Sequence, residues 1–388
     1  MMAAFFHMKQ PMAKQQRSII DFFSEVEDER RDNANREHEL VDILVIALCG
    51  MLSGADDWVS IAEYGCEKED WFRQFLALPN GIPSHDTFNR VFRFLDAEKF
   101  IDCFSAWVDS LGEILSKQVI AVDGKTLRRS HDRGNSKAAI HMVSAWATAN
   151  KLVLGQVKTT EKSNEITAIP ELLESLAIEG CLVTIDAMGC QKAIAKTIVD
   201  NKADYLLAVK GNQPKLQAAI EATLDHRLPK VYERPAIDFF EHEETNRGRH
   251  EIRRCWVTQS LGKLDMASEW EGLVSIGMLE SERTVDEKTS IERRYYICSC
   301  DSSAESLYQA SRSHWGVENS LHWVLDMAFR EDECRVRRGN GAENLARLRH
   351  FALNMLKQDK TTKLGIKNKR LKAGWSNDYL LQLLKIEL

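Results

Sequence analysis

Residues 117 to 224 constrain the fold more than any other part of the chain, because apolar period and turn signals there alternate in a fixed order. QVIAVDGKTLR is a β-branched apolar run that ends in a polar turn, and HMVSAWAT and LVLGQVKTT follow as a hairpin about Ala149, Asn150 and Lys151. A helix is then predicted over ITAIPELLESLA, with Pro170 and Glu171 suited to its first turn. The buried strand CLVTIDAMGC, the helix QKAIAKTIVDNK, the strand DYLLAVKG and a helix opening at QPKLQAAIEATL complete the series. The order βββ-α-β-α-β-α requires an α/β sheet with helices packed on its faces.

The flanks follow other rules. Residues 1–116 form an all-helical N-terminal domain, with apolar positions at helical spacing in ELVDILVIALCGMLSG, WVSIAEYGCEKEDWFRQFLAL and FIDCFSAWVDSLGEIL. Within it, LPNGIPSHDTFNRVFRFL is a turn followed by a helix capped by Ser84 or Asp86. That helix bears Asn89, Arg90 and Arg93, and suits either a helix-turn-helix DNA reader or an ordinary helical corner. After the first part of the core (117–224), residues 225–300 read as a β-rich insertion, with one hairpin about Arg247-Gly248 and a second pair of strands with a polar tip. Helix resumes over 301–358, in AESLYQASRSHWGVENSLHWVLDMAF and NLARLRHFALNMLK. A basic tail, 359–388, is expected to be loosely attached.

Composition excludes several classes. No run approaches the ~18 apolar residues of a membrane span, and the start has neither a long apolar segment nor a small-residue cleavage site, so a cytoplasmic protein is expected. The nine cysteines are odd in number and scattered through apolar runs, which suits reduced thiols; Cys298-Ser-Cys300 lacks the second pair a zinc site needs. A net charge of −6 argues against a protein that merely coats duplex DNA. Charge is segregated, however. Acid concentrates in residues 21–39 and base in 124–137, 246–254, 330–350 and 357–372, which is compatible with a local nucleic-acid track.

Asp123 in IAVDGKT and Asp186 in LVTIDAMG each end an apolar strand of the same expected sheet. An ionised carboxylate in that position is costly unless a cation or several hydrogen bonds compensate it, although a single strand-ending Asp often caps a turn instead. Farther on, Glu318 lies four residues from both His314 and His322 on one helix face, opposite a stripe of Trp315, Leu321, Val324, Leu325 and Ala328. That face is a polar stripe, a zinc site of His314, Glu318 and His322, or the place where Glu318 joins Asp123 and Asp186 in an all-oxygen site. Such a site favours Mg²⁺ or Mn²⁺. A pair of these ions ~3.5–4 Å apart suits in-line displacement at phosphorus. Asp326, Glu331 and Asp332 are reserve carboxylates. Lys125, Arg128 and Arg129 follow Asp123, and Lys210 and Asn212 follow the last strand of the series, where open α/β sheets place their ligands. With Arg312, His314 and Trp315 near Glu318, these are the expected DNA contacts; Trp315, Trp323 and Arg312 suit stacking on or clamping a displaced base.

AVDGKTLRRS, TIDAMGCQ, YLLAVKGNQP and RSHWGVENSLHWVLDMAFREDECRVRRGNGAENLARLRHFALN, in that order, resemble the H-repeat-associated insertion-sequence transposases of the bacterial DDE superfamily. The likeness runs from about residue 18 to about residue 358. It implies an RNase H-like mixed sheet with flanking helices, with Asp123 on the first strand, Asp186 on the fourth and Glu318 on the helix after a β insertion. It further implies two divalent ions per site, terminal inverted repeats and target DNA as substrates, and a homo-oligomer on DNA as the working form, associated with the nucleoid. The wider superfamily places Arg four and Tyr seven residues before the Glu, and Lys seven after it; here those positions hold His314, Ser311 and Leu325, with Tyr308 and Arg312 nearby. That departure bears on whether the cut end passes through a hairpin, not on the three metal ligands. A nuclease or resolvase on the same fold, and a DNA-binding protein that has lost its chemistry, are the competing readings.

Overall fold

The computed structural model describes residues 17–30, 36–111, 118–131, 139–159, 165–224, 236–246, 248–262, 264–286 and 288–388. Six helices come first: α1 (Ile19–Ser24), α2 (Leu40–Leu52), α3 (Trp58–Glu67), α4 (Glu69–Phe72), α5 (His85–Phe94) and α6 (Ala97–Ser110). The strands β1 (Val119–Thr126), β2 (His141–Ala147) and β3 (Leu152–Thr159) follow, then α7 (Glu165–Glu174), β4 (Leu182–Ile185), α8 (Lys192–Asp200), β5 (Asp204–Val209) and α9 (Pro214–Leu224). Two hairpins, β6 (Asp238–Asn246) with β7 (Arg249–Thr258) and β8 (Ser275–Val285) with β9 (Lys288–Cys298), precede α10 (Ala304–His314), α11 (Trp323–Phe329), α12 (Gly341–Gln358), α13 (Ile366–Trp375) and α14 (Asn377–Leu384).

Among the described residues all nine strands belong to one mixed sheet, ordered β3-β2-β1-β4-β5-β9-β8-β7-β6. β1, β4 and β5 are parallel, and β2 and β9 border them antiparallel. The segment expected as an insertion therefore continues the sheet outward from β5 through β9. Periodicity identifies such hairpins but does not say which edge they join. α7 packs on β2 and β3 and α8 on β5, while α10 lies across β1, β4 and β5 and reaches β6 and β7. Pro170 is interior to α7, which already extends back to Glu165, and not in a first turn as its sequence suggests.

The N-terminal helices form where caps and apolar stripes coincide. Ser18 and Asp57 make reciprocal capping boxes with Asp21 and Ser60, and Asp96 accepts from the Glu98 and Lys99 amides. α2 is buried on every side, as expected of a helix apolar all round. Its partner is α12, which also touches α5, α6 and β3, so the helical region and one face of the sheet share a continuous core. α12 is buried despite its polar residues, and several of these find partners in the elements packed on it. The Asn354 amide exchanges two 2.9 Å hydrogen bonds with the Val153 backbone, and Asn344 donates to the Phe92 and Leu95 carbonyls.

The last thirty residues depart from their expected loose attachment. α13 docks on α2, α11 and α12, and its Lys369 and Arg370 are buried. Lys369 donates to the Leu356 and Asp359 carbonyls, and Arg370 to the Met51 carbonyl while pairing with Asp56 at 2.6 Å. Among the described residues no helix is long and apolar enough to cross a membrane.

Candidate active site

The register of the parallel strands brings the first two candidate carboxylates together. Val122 of β1 is opposite Ile185 of β4, so Asp123 and Asp186 leave adjacent strands side by side, on backbones ~4.8 Å apart. Side chains alternate across a strand, so Asp123 shares a face with Ala121, and Asp186 with Thr184, which is opposite Ala121. The same parity carries across the sheet through Leu206 and Ala208 of β5 to Tyr296 and Arg294 of β9. α10 and the turn after it cover this face. The space between is a pocket of about 250 Å³ lined by Asp123, Asp186, Lys210, Arg294, Trp315 and Glu318 among others.

Asp123 is hemmed in, with its side chain 21% exposed. One oxygen accepts from the Gly124 amide at 2.9 Å, and the other lies 3.5 Å from His322 Nδ1. Burial pushes its pKa up to about 7, and the charges of Asp186, Glu318 and Glu165 add to that shift. His322 does not relieve it: burial and the neighbouring Lys125 charge push its pKa down to about 4, so the ring is neutral. Gly124 is required beside Asp123, because a Cβ there would lie 2.4 Å from His141 Nε2 and 2.6 Å from Glu165 Oε1, a buried pair. Asp186 caps the 3₁₀ turn Ala187–Gly189 with one oxygen, accepting from the Met188 and Gly189 amides.

Glu318 opens a π-helical segment, Glu318–His322, that separates α10 from α11 in what sequence periodicity reads as one long helix. Such segments recur at functional sites because they turn side chains out of α register. The expected His314, Glu318 and His322 face is divided accordingly. His314 Nδ1 bonds the Thr184 hydroxyl at 3.0 Å, with burial lowering its pKa, while His322 turns to Asp123. Glu318 faces the aspartates across the pocket, yet among the described residues no three His, Cys, Asp or Glu side chains are gathered closely enough to hold an ion as they stand.

The expected DNA contacts are placed differently from one another. Lys210 is exposed at the pocket rim, and Trp315 lies in the wall with the Arg294 guanidinium 4.3 Å from its ring centroid. Lys125 points inward, bonding Asp326 at 2.5 Å and Glu331 at 2.7 Å, and is thereby a structural cation. Burial alone would raise Glu331, but the Lys125 and Arg349 charges hold it below the usual carboxylate range. Asp332 pairs with exposed Arg128, so all three reserve carboxylates are engaged away from the pocket. The Arg129 carbonyl accepts from Arg337, the Asn212 amide donates to the Ala187 carbonyl beside Asp186, and Arg312 is exposed on α10 outside the pocket. The Cys298 and Cys300 sulfurs are 3.2 Å apart and near Ser302, with no zinc ligand set among the described residues.

Arg294 is the pocket residue that sequence reasoning missed. The signal was present in the alternation of IERRYYIC, which puts Arg294 and Tyr296 on one face, but it is informative only once β9 is known to pair with β5.

Fold and pocket together define a mixed α/β protein with an acidic pocket at the carboxyl ends of its parallel strands. The chain belongs to the transposase family with a DDE domain: residues 114–355 match the model described as the transposase DDE domain, and residues 20–108 the one described as DDE_Tnp_1-associated. It is 44% identical to the H repeat-associated protein YhhI of Escherichia coli K12, over 90% of this chain and 93% of that one. It is also 44% identical to YncI of Escherichia coli O157:H7, over 95% and 94%, and both relatives carry transposase in their names. Among solved structures, the cryo-EM structure of the piggyBac transposase synaptic complex with hairpin DNA matches at a TM-score of 0.44 and 12% identity, covering 95% of this chain and 77% of that one.

Proposed function

We propose that this protein cleaves the ends of a DNA element and joins the freed 3′-hydroxyls to target DNA, with Asp123, Asp186 and Glu318 as its reacting-site carboxylates. The observation that carries the reading is the in-register exit of Asp123 and Asp186 from adjacent parallel strands, facing Glu318 across one pocket. Burial, with the Asp186 and Glu318 charges adding to it, raises the Asp123 pKa, and a divalent cation is the partner such a set lacks. An all-oxygen donor set fits Mg²⁺ or Mn²⁺, with Asp123 and Asp186 as the fixed donors and Glu318 completing the set from its π-helical turn. When bound, a pair of such ions activates the attacking oxygen and stabilises the leaving one.

The chain's own residues supply position. Lys210 and Arg294 are the cations that face the pocket, and they hold phosphate oxygens of the reacting strand; the Trp315 face, together with the Glu292 carboxylate at 2.9 Å from Nε and 3.1 Å from Nη2, fixes the Arg294 fork. His314, neutral and bonded to Thr184, sets the end of α10 and so the start of the turn that carries Glu318. The Asn212 bond to the Ala187 carbonyl braces the Asp186 turn. The sheet is an RNase H-like core in this reading. The helical N-terminal region serves DNA binding and assembly, the substrates are terminal inverted repeats and target DNA, and the working form is a homo-oligomer on DNA at the bacterial nucleoid.

The test is to incubate the protein with labelled element-end DNA, a target plasmid and Mg²⁺, beside Asp186→Ala. Joined products from the wild type alone support the proposal. Cleavage without joining instead indicates a nuclease, and a shifted band without cleavage indicates a DNA-binding protein without chemistry.

A further inference from the structure

A second, larger hollow lies away from the acidic pocket, between the starts of α3 and α5 on one side and residues 330–338 on the other, with a volume of about 1010 Å³. We propose that this groove takes the phosphate backbone of the DNA duplex flanking the reacting end. The inference rests on DNA being the substrate, but not on the chemistry assigned to the carboxylates.

Charge is the first argument. Of the acids lining the groove, Asp56 is neutralised by buried Arg370 at 2.6 Å, Glu333 pairs with Arg330, and Asp57 caps α3 through the Ser60 amide. Arg335 and Arg338, across the groove from Asp56 and Asp57, are exposed and make no ion pair among the described residues. Two forked cations face a wall whose acids are largely spent, the arrangement that phosphate oxygens satisfy and an apolar ligand does not.

Rigidity is the second argument. The arginine segment is fastened to α5 by a set of bonds that a merely solvated loop has no use for. The Asn340 amide N–H donates to the Arg93 carbonyl at 3.0 Å, the Asn340 side chain donates to the Leu95 carbonyl at 3.1 Å, and Asn344 adds two more bonds to the same helix end. Gly339 sits at φ +56, where an added Cβ would lie 2.4 Å from the Arg93 carbonyl oxygen, so both the turn and the close approach require glycine. The groove is thus held at fixed width between two parts of the chain some 250 residues apart in sequence.

Continuity is the third. Arg337 donates to the carbonyl of Arg129, and Arg128 pairs with Asp332, which joins the groove wall to the turn beyond β1. The two segments that supply Asp123 and Glu318 to the pocket therefore run on directly into the groove. Exposed His85 and Asn89 of α5 face the bound strand from the other side.

The experiment measures binding of the full chain to a fluorescein-labelled duplex of random sequence by anisotropy, without divalent cation, over a salt series. Wild type is compared with Arg335→Ala/Arg338→Ala and with Arg335→Lys/Arg338→Lys. Each lost phosphate contact lowers the slope of log K against log salt by about 0.9, so the alanine pair is expected to reduce the slope by about 2 and the affinity at least tenfold, with the lysine pair in between. Unchanged affinity and slope in the alanine pair overturn the proposal, as does a wild type that binds no duplex. So does an unchanged affinity accompanied by an altered oligomeric state on gel filtration, which would make the groove a protein interface. Failure of the catalytic reading is seen separately, as wild type that binds duplex normally but neither cuts nor joins it.

Discussion

Replacing Asp123 by Asn removes the charge that the acidic pocket disfavours while keeping an oxygen for the Gly124 amide. A carboxyl whose pKa rises from 3.8 to about 7 on folding costs no stability below the unfolded value, where both states are protonated. The penalty grows as pH rises between those two values and is complete above about 7. A shift of roughly 3 units at ~1.36 kcal/mol each makes it on the order of 4 kcal/mol. With an unfolding entropy of ~2.1 cal/mol/K per residue, a cooperative unit of 388 residues has about 0.8 kcal/mol/K, so the penalty corresponds to about 5 °C in Tm. Thermal unfolding followed by circular dichroism in EDTA is the assay. Asp123→Asn is expected to melt within about a degree of wild type near pH 4, and up to about 5 °C above it near pH 8. Adding Mg²⁺ at the higher pH raises the wild type and leaves the variant where it was. A variant that melts lower than wild type at both pH values would refute the reasoning, because the carboxylate would then be a stabilising group with a partner of its own.

Lys125→Met leaves Glu331 buried without its nearest cation, and breaking a buried pair from one side costs about 3–5 kcal/mol; urea unfolding should show that loss, whereas a lysine that only contacts DNA would leave stability unchanged. Asn354→Leu strands the buried Val153 amide and carbonyl at about 1–3 kcal/mol each, with a matching fall in the urea midpoint. Arg294→Ala is expected to lower strand joining at least tenfold while shifting Tm by less than about 2 °C, since the side chain rests on the Trp315 ring at a pocket wall and not in the core.

Much of this architecture is legible along the chain, and the reasons it is not all legible are physical. The β1–β5 series shows because apolar strands alternate with capped helices, and Asp123 and Asp186 stand out because a carboxylate ending an apolar strand is costly. Four features were hidden. The edge that β9 joins depends on backbone hydrogen bonds that leave no trace in composition, so the hairpins read as an insertion and nothing singles out Arg294. The π-helical turn at Glu318 keeps the apolar spacing of an α-helix within a residue, so the face containing His314 and His322 looked continuous. Lys125 looked like a DNA contact because its two carboxylate partners lie some 200 residues away. Lys369 and Arg370 read as tail charges because burial of a cation by backbone carbonyls cannot be seen without the helix that offers them.

The central claim is that Asp123, Asp186 and Glu318 close on hard cations. Anomalous scattering from crystals grown with Mn²⁺ and an element-end duplex tests it most directly. Density for manganese between the carboxylates of Asp123 and Asp186, with Glu318 drawn in from the π-helical turn to complete the oxygen shell, is the predicted result. Manganese bound elsewhere, or Glu318 left outside the coordination sphere while the DNA end is seated in the pocket, would contradict it.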